Sequence, residues 1–438
     1  MMKSRIIGEK YMNKIERFFQ FIENSTSQFH TIKMAKEQLI QEGFEALSMG
    51  ENWKLQKGGR YVISHHDSTL FAFTIGKDFC PEDGFRLAAA HGDFPGFRIK
   101  PNPEIEAGGY LQLNTETYGG AILSTWLDRP LSVAGRVVLK SQDVFHPEVR
   151  LIDFKKPVLM IPNLAIHFNR EMNKGVELRK QVEMMPIYGV ASEEMTEKAF
   201  SKLLAEELGV TVDDILDYEL MIYNTDKPSF VGMKDEFISA PRLDNLSSSQ
   251  ALVEGILSGQ RNHGLNMAII FDHEEVGSRT KQGAASTLLS TLMEKIYESL
   301  GMSRMDFVNA MEESMMMSVD VSHAYNPNYS AKYDATNRNI INRGFSIKEA
   351  CSQSYATDSE AIGIVQQICE KEGIPYQKFA NHSDATGGGT LGAISSAMLP
   401  IRTVDIGAPI FAMHSSRETM GTEDYKSLVD FMGAYFRL

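Results

Sequence analysis

Five short segments of the chain place imidazoles and carboxylates directly after apolar runs, where open α/β sheets bind their ligands. AHGDFPG carries His91 and Asp93, APRLDNLSS carries Asp244, FDHEEVGSR carries Glu274 and Glu275, SVDVSHAYNPNY carries Asp320, and APIFAMHSSRE carries His414. His91 and Asp93 alternate with Gly92, so both can point the same way. Asp93 could then hold the imidazole from behind, as a metal-bound histidine needs. Each segment alone has a bland alternative. HxD arises often by chance, Asp244 and Asp320 could be caps, and His414 could be a hydrogen-bonded core histidine. The adjacent Glu274 and Glu275 repel, and at a buried strand end they need cations to offset their desolvation.

Taken jointly, the segments supply His91, Asp244, Glu275, Asp320 and His414 as metal ligands, with Glu274 as a spare carboxylate. Mixed imidazole and carboxylate donors suit zinc, manganese or cobalt better than calcium or magnesium, and zinc is the leading choice. Five ligands exceed a simple zinc site but suit two ions if one carboxylate bridges them. Such a pair lowers the pKa of a bound water and polarises a carbonyl. Glu274 could then carry the proton from the attacking water to a leaving amine.

Composition narrows the alternatives. The 438 residues hold 44 Lys+Arg against 57 Asp+Glu, a formal charge of −13, which argues against coating nucleic acid or an anionic membrane. Cys80, Cys351 and Cys369 are widely spaced and form neither a CxxC pair nor a disulfide framework. No apolar leader opens the chain, and no run approaches the roughly 20 apolar residues of a membrane span, so the expectation is a soluble cytoplasmic protein. SDATGGGTLG, from Ser383, lacks the spacing of a phosphate loop, although its glycines permit backbone approach to a substrate.

The elements that must position these residues can be read from periodicity. Tyr11, Ile15, Phe18, Phe19 and Ile22 recur at helical spacing, and Ile32, Ala35, Leu39 and Ile40 form a second apolar face. Strands are expected from Arg60, from Thr69 and up to His91. Residues 97–234 turn to Gly-Gly, Pro and alternating runs such as YLQLNTETY, implying an inserted β-rich, barrel-like unit with one helix near Ser192–Leu208. From residue 235 onward helices and apolar strands alternate: a helix near Asn245–Ser258, MAIIF, a helix over Ala285–Leu300, MMMSVDV, and a helix over Asp358–Glu372. The expected fold class is α/β, with residues 1–96 plus 235–438 forming a mainly parallel-sheet catalytic domain and 97–234 inserted in it.

In their order, AHGDFPGFRIKP, YGGAILSTWLDRPLSVAGRV, IPNLAIHFNR, EFISAPRLDNL, DHEEVGS, SVDVSHAYNPNY, YATD and GAPIFAMHSSRE resemble the aspartyl aminopeptidase family of dinuclear metallopeptidases, over nearly the whole chain. The resemblance implies removal of the N-terminal amino acid from peptide substrates by two metal ions. It implies that His91, Asp244 and Asp320 hold one ion, and that Asp244, Glu275 and His414 hold the other. Glu274 would be the general base and Asp93 would orient His91. The inserted unit would build homodimers that assemble into a tetrahedral dodecamer, with His167 of LAIHFNR entering a neighbouring subunit's site. Lys348 and Tyr355 match positions that face the substrate. The chain departs from the family in having Gly92 and Phe94 where Thr and Ser are usual, and Ser354 where Arg is common. One cation fewer weakens recognition of an acidic side chain, so both an Asp/Glu preference and a neutral or broad one stay open. A catalytically silent metal-binding assembly protein is a further alternative, against which Glu274 weighs. A di-metal phosphoesterase would need a basic cluster that these motifs lack.

Overall fold

The five apolar strands legible in the sequence join four others in one nine-stranded sheet in the computed structural model, which describes residues 2–192, 198–385 and 387–438, with side chains from residue 13 onward. Its order is Glu45–Leu47, Arg60–His65, Thr69–Ile75, Leu265–Phe271, Phe85–His91, Met315–Val319, Arg402–Gly407, Phe345–Glu349 and Tyr376–Ala380. The four strands from Leu265–Phe271 to Arg402–Gly407 run parallel. They read as continuous apolar runs because both faces are covered. Ala88, Ala90, Met315 and Met317 belong to one core, while Leu87, Ala89 and Met316 belong to the other. The Met315–Met317 run is therefore strand core.

The helix Met2–Asn24 buries Ile15, Phe18 and Ile22 as its spacing requires, whereas Phe19 is only partly covered and the Tyr11 side chain lies outside the described residues. Phe18 stacks on Tyr425 with ring centroids 4.2 Å apart. Arg17 grips the buried Glu254 through two hydrogen bonds of 2.7 and 2.6 Å. The helices Leu243–Ser258, Leu288–Ser299 and Ser359–Glu372 fall within a few residues of the expected bounds.

A second, six-stranded antiparallel sheet is drawn from strands between Gly96 and Asn224. It covers its own core, including Phe97, Trp126, Val133 and Ile222, under the helix Ala199–Leu208. That helix starts later than Ser192, and residues 193–197 lie outside the described chain. Bridges Leu131–Leu159 and Met160–Ile187 curl the sheet towards closure, which matches the barrel-like expectation. A five-stranded sheet that periodicity did not separate includes Phe237–Ala240, Pro409–Phe411 and Glu418–Gly421.

Close strand approach leaves little room at Gly407, where an added Cβ would lie 1.5 Å from the Asp320 carbonyl oxygen. Gly407→Ala must push the Met315–Val319 and Arg402–Gly407 strands apart. We expect a loss of about 3 kcal/mol, read as a lower urea midpoint at unchanged slope.

Candidate active site

His91 ends the Phe85–His91 strand, Glu274 and Glu275 follow Leu265–Phe271, and Asp320 follows Met315–Val319. Parallel pairing of these strands, with Phe271 opposite His91, brings their carboxyl ends side by side. Asp244 comes from the start of the helix Leu243–Ser258, and His414 from the loop between Pro409–Phe411 and Glu418–Gly421. Residues spread over more than 300 positions thus converge on one cavity of about 580 Å³.

The geometry divides in two around Asp244. Its Oδ1 lies 3.5 Å from His91 Nε2, which is also 3.6 Å from Asp320 Oδ1. Its Oδ2 lies 3.4 Å from His414 Nε2, which is 3.7 Å from Glu275 Oε2. Glu274 Oε2 is 3.9 Å from His91 Nε2. Both Nε2 atoms face the carboxylates because the other ring nitrogens are engaged elsewhere. His91 Nδ1 lies 3.0 Å from the Asp93 carbonyl oxygen and 3.4 Å from its Oδ1, and His414 Nδ1 lies 3.2 Å from the Gly120 carbonyl oxygen. Asp93 in turn accepts hydrogen bonds from Tyr118 Oη (2.8 Å) and from the backbone amides of Glu274 (3.2 Å) and Glu275 (3.1 Å).

Electrostatics shows what the cluster lacks. Burial pushes the Glu274 pKa up to about 8, with the negative charges of Asp320, Asp93 and Asp244 adding to it and His91 opposing. Burial and then the charge of Asp244 hold Glu275 well above the usual carboxylate range. Burial opposes protonation of His91, yet its bonds to Asp320 and Asp93 outweigh that and raise its pKa well above normal. The bond to Asp244 raises His414 to about 9. Divalent cations would offset the same buried charge. Asp244 Oδ1 and Glu275 Oε1 are buried without a hydrogen-bond partner. Ligand atoms of His91, Asp244 and Glu275 lie within 4.8 Å of one another. This donor set therefore fits divalent metal ions.

The remaining expected site residues lie differently. Lys348 is 1% exposed. Its Nζ donates to the carbonyl oxygens of Asp320 (3.1 Å) and Val321 (3.2 Å) and sits 4.0 Å from Asp320 Oδ2. Tyr355 is buried beside it, with the ammonium 5.1 Å from the ring centroid. Both lie behind the cavity wall, which His323, Ser354, Thr390, Ile394 and Met413 help to form. His167 is exposed and is not part of that lining. Sequence reasoning assigned no role to Tyr118, Gly120, His323 or Glu418. Tyr118 and Gly120 belong to the quoted YGG segment and Glu418 to HSSRE, but nothing in their local pattern distinguishes a fastening from an ordinary surface group.

Two imidazoles and four carboxylates, four of the six following parallel strands, form a centre of the metallohydrolase type. Residues 21–436 match the family model described as "Aminopeptidase I zinc metalloprotease (M18)". The chain is 44% identical over 426 residues to "Probable M18 family aminopeptidase 2" of Clostridium novyi, covering 97% of both. It is 40% identical to the protein of that name from Pseudomonas aeruginosa, covering 95% of this chain and 96% of the relative. A solved chain in the "Cryo-EM structure of the Ape4 and Nbr1 complex" superposes with a TM-score of 0.94 at 32% identity, covering 98% of this chain and 86% of that one. The chain belongs to the M18 family of zinc metalloaminopeptidases.

Because metal ligands must shed their protons, metal uptake by the stripped protein at neutral pH should release protons. Affinity should rise by about tenfold per pH unit for each proton displaced, up to about the raised pKa values near 8 and 9. Calorimetric titration in two buffers of different ionisation enthalpy counts those protons. Asp244→Ala should sharply reduce metal uptake, read by elemental analysis.

Proposed function

We propose that this metalloaminopeptidase uses two divalent ions, zinc first with manganese or cobalt as substitutes, held by His91, Asp244 and Asp320 and by Asp244, Glu275 and His414. The observation that carries this reading is the division of Asp244, one oxygen facing His91 at 3.5 Å and the other facing His414 at 3.4 Å. Bound ions would supply an activated water and polarise the scissile carbonyl. Glu274 acts as general base: it takes the proton of the attacking water and delivers it to the departing amine nitrogen. Glu274 stands at the edge of this ligand set, its Oε2 3.9 Å from His91 Nε2, where a carboxylate can reach a water held beside the ions. Asp93 keeps the His91 ring oriented, and the Gly120 carbonyl oxygen does the same for His414.

For the residue removed, we favour an acidic side chain. Lys348 supports it: its buried ammonium, 4.0 Å from Asp320 Oδ2, lends positive potential to the cavity that a carboxylate would enter. A neutral preference is the second reading, favoured by Ala393, Ile394 and Met413 and by the absence of lysine or arginine among the described lining residues. Residues 97–234 we assign to self-association, as dimers that build a tetrahedral dodecamer. Leu164, Ile166 and Phe168 are exposed around His167, and contiguous exposed apolar residues mark an interface. That arrangement would let His167 reach a neighbour's cavity. No helix among the described residues is long and apolar enough to cross a membrane. The three cysteines are unpaired, in keeping with a reducing cytoplasmic setting.

Glu274→Gln should keep both ions while lowering turnover by about 10²–10⁴-fold; activity within a fewfold of the parent removes Glu274 as base. Peptides with N-terminal Asp, Glu, Leu, Lys or Ala separate the two specificities. Release of Asp and Glu, lost in Lys348→Met, supports the acidic reading, and faster release of Leu and Ala overturns it. Mixing His167→Ala with Glu274→Gln subunits should restore activity if sites are shared.

A further inference from the structure

Glu418 is a charged side chain that the proposed mechanism does not use, and it is 1% exposed. It opens the Glu418–Gly421 strand and pairs with Ala240, so it stands between the two segments leading to Asp244 and His414. Its Oε2 accepts the backbone N–H of Asp244 at 3.0 Å, and its Oε1 accepts the backbone N–H of His414 at 2.7 Å. Both segments adopt backbone conformations that non-glycine residues seldom take: φ is +61° at Arg242, +55° at Ala412 and +67° at His414. Such conformations persist where surrounding contacts over-determine them. One carboxylate thus joins two unusual loops that are distant in sequence, and holds the Asp244 Oδ2 to His414 Nε2 approach at 3.4 Å.

We infer that Glu418 is a positioning residue for one half of the metal centre: its carboxylate clamps the Asp244 and His414 backbones and sets the spacing of the ligand pair they carry. The inference rests on the two-ion reading proposed above. The clamp requires two acceptors. A glutamine of the same shape offers one oxygen and one NH₂, so one of the two amides would face a donor. Ligand spacing set by groups behind the ligands governs metal affinity, and changing such a group typically costs 10–100-fold.

The test compares Glu418→Gln with Glu254→Gln, which removes the buried partner of Arg17 away from the site and serves as a control for general destabilisation. Each folded, metal-stripped protein is titrated with zinc against a chromophoric chelator. In Glu418→Gln one of the two ions should bind at least about tenfold more weakly, whereas Glu254→Gln should melt earlier yet keep both affinities. Parent-like affinity for both ions in Glu418→Gln overturns the inference. Should that variant not fold, residue-resolved hydrogen exchange on the metal-stripped parent decides: slow exchange at the Asp244 and His414 amides supports the clamp, and exchange as fast as in exposed loops overturns it. A parent that takes up a single ion refutes the two-ion reading, while the amide exchange still reports on the clamp.

Discussion

Negative charge buried at the ends of parallel strands is the constraint around which this molecule is organised. Asp244, Glu274, Glu275 and Asp320 crowd around the imidazoles of His91 and His414 in one cavity. Two like charges 4 Å apart repel by about 4 kcal/mol at the effective dielectric near a protein surface. The crowd is tolerable when cations or protons offset it. The raised pKa values of Glu274, Glu275 and both histidines express that demand in the protein alone. Divalent ions would meet it and turn it into chemistry.

A ring of buried polar groups keeps these side chains from relaxing apart. Asp93 links His91, Tyr118 and the amides of Glu274 and Glu275. Lys348 fastens the Asp320 backbone, and Glu418 joins the segments of Asp244 and His414. Each fastening crosses between elements remote in sequence, so the site is as rigid as the packing that supports it. The Tyr118 bond to Asp93 comes from the second sheet, and the Gly120 carbonyl oxygen that meets His414 Nδ1 comes from the turn that follows it. Tyr118 ends a strand of that sheet, and Gly119 and Gly120 carry the chain against the ligands. An added Cβ would lie 3.2 Å from the Glu275 side chain at Gly119 and 3.3 Å from His414 Nδ1 at Gly120. The second sheet and the turn after it therefore help to shape the cavity cluster.

This arrangement also bears on the cation behind the wall. A lysine read from its motif as facing substrate has two of its protons committed to the Asp320 and Val321 carbonyl oxygens. Burial opposes its charge, but Asp320, Tyr355, Asp405 and Asp244 together outweigh that and raise its pKa. One ammonium can thus serve two needs at once, holding a ligand-bearing turn and lending positive potential to the cavity.

Much of this was legible in the sequence, because strand ends announce themselves. Apolar runs stopping at His91, Phe271 and Val319 marked buried parallel strands, and the polar residues after them had to lie at the carboxyl edge. The α/β class and the candidate ligands followed from that local pattern. Other features depend on which strands become neighbours, and no local periodicity encodes that. The five-stranded sheet, the hold of Lys348 on the Asp320 and Val321 carbonyl oxygens, and the use of Glu418 as a two-amide acceptor are of this kind. A carboxylate in HSSRE or a tyrosine ending YLQLNTETY reads like any surface residue until packing removes the water around it. Composition and pattern determined which residues would be buried and at which ends chemistry could sit; tertiary structure alone decided their partners, because hydrogen bonds and charge pairs form across distances in sequence that only the folded chain closes.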